Sequence, residues 1–187
     1  MKRKIVIGIT GASGAIYAKL LLDYLEKNEA EFEKIELIFS GNATDVWEYE
    51  LGNRDFENYP FKRNEPSNFF TGPASGSAGF DTMIICPASM GTIGRIASGV
   101  SNDLMTRAAD VMLKERKRLI LVPRESPFNL IHLRNMTTIS EAGAIIIPAS
   151  PSFYSHPQSI EDVALTVVYR ILKLADLNHD GFRWGEK

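Results

Sequence analysis

Ile5-Val6-Ile7-Gly8-Ile9-Thr10-Gly11-Ala12-Ser13-Gly14 decides the fold. Its first half is a continuous apolar, β-branched run, the pattern of a strand covered on both faces. Its second half is a turn of small residues. From Ile16 to Lys27 the apolar residues recur at helical spacing, with Leu20, Leu21 and Leu25 on one side. Working outward, the same unit repeats. Residues 35–39, 83–86, 119–122 and 144–147 read as further strands, and the last three stop at Pro87, Pro123 and Pro148. Helical stretches fill the gaps over residues 43–50, 91–116 with a break at Gly99, 129–140 and 160–174. Residues 51–79 are polar and rich in Asn, Gly, Pro and Ser, so they read as a long excursion of functional kind. The expected class is α/β: a Rossmann-like (flavodoxin-like) parallel sheet with helices on both faces. Residues 1–187 are expected to form one domain, with a polar C-terminal tail from about Asp176 that carries Phe182 and Trp184.

Composition narrows the function. The 21 basic and 23 acidic residues leave a net charge of −2, which gives no electrostatic case for nucleic acid or an anionic membrane. No apolar run approaches the roughly 18 residues of a membrane span. The start resembles a signal peptide, but its apolar stretch stops short of the roughly 7–15 residues such a segment needs. The one cysteine, Cys86, rules out an intrachain disulfide and favours a reducing compartment, so a cytoplasmic location is expected. His132, His156 and His179 show no close metal-ligand spacing, and there is no Asp-rich cluster, so no metal is expected.

In open parallel sheets, ligands bind beyond the carboxyl ends of the strands. Those ends carry Thr10-Gly11-Ala12-Ser13-Gly14, Ser40-Gly41-Asn42, Pro87-Ala88-Ser89-Met90-Gly91-Thr92, Pro123-Arg124-Glu125-Ser126-Pro127 and Pro148-Ala149-Ser150-Pro151. Ser, Thr and Gly also cap helices and make turns. Several such loops on one edge argue instead for a phosphate held by free amides and helix dipoles. The first loop lacks the full G-x-G-x-x-G spacing, and Ser40 stands where a ribose-binding acid would be, so a mononucleotide fits better than NAD. Arg124, directly after the fourth strand, points to the ligand edge. Arg107, Asp110 and Lys114 share one helix face, a pattern that also suits a solvated, salt-bridged surface.

At these residues the sequence resembles the flavin prenyltransferases of the UbiX/Pad type. The resemblance runs through Gly8–Gly14, Ser40 with Glu50 ten residues on, Ala74-Ser75-Gly76-Ser77, Pro87–Thr92, Arg107–Lys114 and Arg124-Glu125. It continues through Phe153-Tyr154 and Arg170-Ile171-Leu172, and Arg183-Trp184-Gly185-Glu186 resembles the family ending. Asn102-Asp103 departs from the family's usual pair, and residues 41–49 differ from common members. The resemblance implies transfer of a dimethylallyl group from dimethylallyl monophosphate to N5 and C6 of reduced FMN, without a metal. The product, prenylated FMN, would serve UbiD-type decarboxylases, with a link to ubiquinone biosynthesis. It also implies a homo-oligomer, a dodecamer, in which a neighbour supplies Tyr154 and Arg170.

Carried over residue by residue, the resemblance assigns FMN to Gly11, Ala12, Ser13, Ser40, Ser89, Met90, Gly91, Thr92 and Arg124. It assigns the donor to Arg107, Lys114, Tyr154 and Arg170, and catalysis to Ser13, Glu50, Lys114, Arg124 and Glu125. The chemistry suits these types. A departing phosphate needs cations and hydrogen-bond donors. A cationic allyl centre suits an aromatic wall, for which Tyr154, Trp184 and Trp47 are candidates. Closing a ring at C6 needs a base, and Glu50, Glu125 and the departed phosphate compete for that role. Two other readings keep the fold and FMN. An FMN-dependent cysteine decarboxylase would carry a histidine soon after the first helical region, yet none precedes His132. A non-catalytic flavin-binding protein would explain the Ser/Gly loops but not Glu50, Lys114, Tyr154 and Arg170 together.

Overall fold

A computed structural model describes residues 2–182 and Gly185. The first apolar run is β1 (Arg3–Ile9), at the centre of the sheet. It pairs in parallel with β2 (Phe32–Phe39) on one side and with a strand over Thr82–Ala88 on the other. Outside β2 lies β3 (Lys62–Asn64), which makes the Thr82–Ala88 strand β4; β5 (Arg118–Pro123) and β6 (Ile145–Ile146) follow beyond it. Every pairing is parallel, in the order β3-β2-β1-β4-β5-β6. The five longer-range strands without β3 have the flavodoxin order, and adding β3 gives the Rossmann order. Either way the winding reverses between β1 and β4, so the ligand crevice is expected at their carboxyl ends.

Alternate side chains of each strand sort to opposite faces. Ile5, Ile7, Leu37, Phe39, Ile84, Ile120 and Val122 pack against α1 (Ala15–Lys27), α2 (Ala43–Leu51) and α6 (Ile160–Leu174). Val6, Ile38, Met83, Ile85, Leu119 and Leu121 face α3 (Met90–Ala97), α4 (Leu104–Lys114) and α5 (Leu130–Glu141). None of the described helices is long and apolar enough to cross a membrane.

Two features differ from the sequence reading, and a third follows it. The excursion contains β3, whose Lys62-Arg63-Asn64 shows no apolar pattern. Register with β2 holds it, and the Arg63 guanidinium lies 4.6 Å from the Phe39 ring centroid. The helical stretch over residues 91–116 does break at Gly99, as expected, into two helices. Gly99 turns the chain at φ +68°, and Asp103 starts α4 with a capping box closed by Thr106. Trp47, offered as a pocket wall, is instead a fully buried core residue, edge-on to Phe56 at 5.7 Å. Trp184, the other aromatic candidate, lies outside the described residues.

Candidate functional site

The chain ties β1 to β4 where the winding reverses. The Thr10 hydroxyl donates to the Pro87 carbonyl at 2.7 Å and accepts from the Ser89 amide at 2.9 Å. Ser40, at the end of β2, accepts from the Gly11 amide at 3.1 Å. Gly11 has to be glycine here, because a Cβ would stand 2.9 Å from the Asn42 Cβ. The first, second and third strand ends therefore meet, as the sequence reading expects. Thr10 is the residue that reading left out of its site. A buried hydroxyl at a strand end was the available signal.

Gly14 adopts φ +108°, a conformation that side chains resist, and a Cβ there would also sit 2.8 Å from the Tyr17 ring. No side chain of Gly14 can cap α1. Glu50, at the end of α2, does so instead: its carboxylate accepts from the Gly14 amide at 2.9 Å and the Ala15 amide at 2.7 Å. Arg124 crosses the same loop, donating from Nε to the Ser13 carbonyl at 3.1 Å. It lies close enough to Tyr17 to oppose the upward push that burial gives that phenol. Ser13, Glu50 and Arg124 are thus gathered around one turn. Glu125 follows Arg124 but turns to its own chain, accepting from the Ser126 amide at 3.0 Å.

The opening turn of α3 offers backbone amides to an anion. The Ser89 hydroxyl takes the Thr92 amide at 3.3 Å, while the Met90 and Gly91 amides open the helix with no preceding turn to accept them. A Cβ on Gly91 would meet nothing within 4 Å, so the approach is open. The α1 terminus already holds the Glu50 carboxylate, so of the two helices that follow β1 and β4 it is α3 whose opening amides can take a phosphate. A phosphate on the α3 amides, with the Ser and Gly loops beside it, fits a mononucleotide such as FMN. Among the described residues no group of three or more His, Cys, Asp or Glu is placed to hold a metal ion.

The remaining candidates stand elsewhere. Tyr154 and Arg170 share a cleft of about 910 Å³ between the loop before α6, the outer face of α6 and residues 179–182. Tyr154 stacks on Phe182 there, with ring centroids 6.5 Å apart. Arg107 donates from Nε to the Ala74 carbonyl at 3.2 Å and pairs with Asp110 at 2.9 Å, as the salt-bridged reading of that face requires. Lys114, at the far end of α4, pairs with Glu115. Since α4 and α6 cover opposite faces of the sheet, Lys114 and Arg170 are not brought together within the chain.

The comparisons with known proteins agree with this geometry. A family model described as Flavoprotein matches residues 1–172. The flavin prenyltransferase UbiX of Methanocaldococcus jannaschii is 43% identical over 185 residues, covering 97% of this chain and 98% of that protein. A UbiX protein (PadA1) solved in complex with FMN and dimethylallyl pyrophosphate is 39% identical, with a TM-score of 0.94 and all of both chains covered. A dodecameric FMN-dependent UbiX-like decarboxylase from Escherichia coli O157:H7 is 36% identical, with a TM-score of 0.90, covering 96% of this chain and 98% of that one. With relatives this similar over nearly its whole length, the chain belongs to the UbiX flavin prenyltransferases of the Flavoprotein family.

Proposed function

We propose that this chain joins a dimethylallyl group to reduced FMN. The observation that carries the reading is the near-full-length match to flavin prenyltransferases, on a fold whose Ser/Gly loops meet at the β1/β4 crevice. Reduced FMN, when bound, supplies the nucleophilic ring atoms N5 and C6. The α3 amides with Ser89 and Thr92 bind its phosphate, and Gly11, Ala12, Ser13 and Ser40 bind the rest. Arg107, Lys114, Arg124 and Arg170 set positive charge against the donor phosphate and stabilise the charge that grows as its C–O bond breaks. Tyr154 turns an aromatic face to the allyl cation. Glu50 takes the proton released at ring closure, with Glu125 and the departed phosphate as the competing bases.

The donor phosphate needs groups from more than one copy of the chain. Lys114 and Arg170 lie on opposite faces of the sheet, so one phosphate can meet both only across an interface. The exposed apolar residues of α5, Leu130, Ile131 and Leu133, supply surface for such contacts. We adopt a homododecamer of one-domain protomers, the assembly described for the UbiX-like relative. Delivery of the product to a UbiD-type decarboxylase and a cytoplasmic location complete the reading.

The deciding experiment incubates the protein anaerobically with reduced FMN and either dimethylallyl monophosphate or the pyrophosphate, then weighs the flavin. A gain of one five-carbon unit is expected with the monophosphate, and EDTA should leave the rate unchanged. An unchanged flavin mass with both donors would refute the transferase reading.

A further inference from the structure

The excursion that separates β3 from β4 is pinned to a buried charge. Glu36, in the middle of β2, is 0% exposed. Its Oε1 accepts no hydrogen bond among the described residues and faces the Lys34 ammonium in ion-pair contact. Its Oε2 accepts from Asn64 Nδ2 at 2.7 Å, with the Lys62 ammonium 3.8 Å away. A carboxylate taken out of water is costly unless its partners are fixed. The fixing continues outward. Thr71 donates its hydroxyl to Asn64 Oδ1 at 2.6 Å, and the Lys62 ammonium donates to the Thr71 hydroxyl at 3.3 Å. The Thr71 carbonyl then accepts from the Ala74 amide at 3.1 Å, closing the short turn over Gly72–Ala74. The Ala74 carbonyl is the acceptor that holds Arg107 Nε.

The chain of bonds therefore runs unbroken from a buried carboxylate in the sheet to one donor of the Arg107 guanidinium. Asp110 holds a second donor from its own helix. Two acceptors in fixed directions set the plane of a guanidinium, which is what bidentate recognition of a phosphate requires.

We propose that Glu36, Asn64 and Thr71 are positioning residues that orient Arg107 for the donor phosphate through the turn ending at Ala74. This rests on the reading above that Arg107 binds that phosphate. Glu36 and Thr71 lie outside the loops assigned to FMN, so their effect should fall on the donor alone.

The test uses steady-state prenylation by the whole protein with dimethylallyl monophosphate. Thr71 is only half-buried, so Thr71→Val leaves the fold intact while removing the donor to Asn64. It should raise the KM for the donor roughly fivefold, with kcat and FMN affinity held, and Thr71→Ser should restore wild-type values. Arg107→Ala alone should raise that KM by about tenfold or more. In the Arg107→Ala background, Thr71→Val should add nothing, because the two act through one group. Glu36→Leu, which removes the acceptor for Asn64 at similar size, should follow Thr71→Val; if it does not fold, the Thr71 series decides. An effect of Arg107→Ala with none from Thr71→Val overturns the positioning role alone. Equal effects of Thr71→Val with and without Arg107 do the same. No effect of Arg107→Ala overturns the reading of Arg107 and the positioning role with it.

Discussion

At the carboxyl ends of β1 and β4 the chain bonds to itself at each step: Thr10 to Pro87, Ser89 to Thr10, Gly11 to Ser40, Glu50 to the start of α1. On α4 and α6 the polar groups instead stand on opposite faces of the sheet, and Lys114 and Arg170 are exposed. The first region is finished within one protomer. The second holds exposed charges that the single chain does not bring together. On the function proposed above, rigidity and reactivity are divided: the flavin crevice would be set by folding, and the phosphate cluster by association.

That division can be broken from either side. The largest effect is expected from Thr10→Ala, which leaves the half-buried Ser89 amide without its acceptor and removes the buried hydroxyl that binds the Pro87 carbonyl. It should cost about 1–3 kcal/mol of stability, read by denaturant unfolding, and should weaken FMN binding in titration. Arg170→Ala should do the opposite, leaving stability within about 0.5 kcal/mol and FMN affinity unchanged while abolishing turnover. Mixing inactive Arg170→Ala with inactive Lys114→Ala under subunit exchange should then return part of the activity. No recovery despite confirmed exchange would mean that each site is built within one chain.

Glu50 sharpens the comparison because it caps α1 and is also the base proposed above. Glu50→Gln keeps an oxygen for the α1 amides, so unfolding should change little while formation of the four-ring product slows. Glu50→Ala should lose both, with about 1 kcal/mol of helix capping gone. Wild-type product formation by the Gln variant would reduce Glu50 to a cap. The smallest effect concerns pH. Burial disfavours the Asp103 carboxylate, but bonds from Thr106 and Arg95 outweigh it and hold its pKa below the usual value. A depressed folded-state pKa adds stability above the unfolded value near 4, and that stability fades as pH falls through the folded one. Asp103→Asn should therefore lower stability at neutral pH, where the carboxylate is charged, meet the wild-type curve in acid, and so flatten its acid limb.

The parallel strands were legible because burial on both faces leaves an unbroken apolar run, as in Ile5–Ile9. β3 was not, because Lys62-Arg63-Asn64 owes its conformation to the edge of β2 and to Phe39 rather than to its own pattern. Arg124 was legible from its place after a strand. The capping role of Glu50 was not, since its partners are backbone amides up to 36 residues away that carry no sequence signal. Glu36 gave no sign either. A charge inside a strand reads as surface, and only the fold shows Asn64 covering it.

The two ends of the sheet are unusually blunt. β2 is eight residues long, and its outer edge would offer a row of open amides and carbonyls to any passing strand. It is shielded by a strand of three residues bearing Lys62 and Arg63, and the opposite margin stops at the two residues of β6. Short, charged margins discourage fibrous edge-to-edge growth. In the assembly proposed above, helical faces of one copy would lie against those of another, and the nature of the sheet margins then matters. Self-association would then be steered toward the closed shell and away from the open-ended stack, and the same polar triplet that escapes detection as a strand would guard the chain against aggregation.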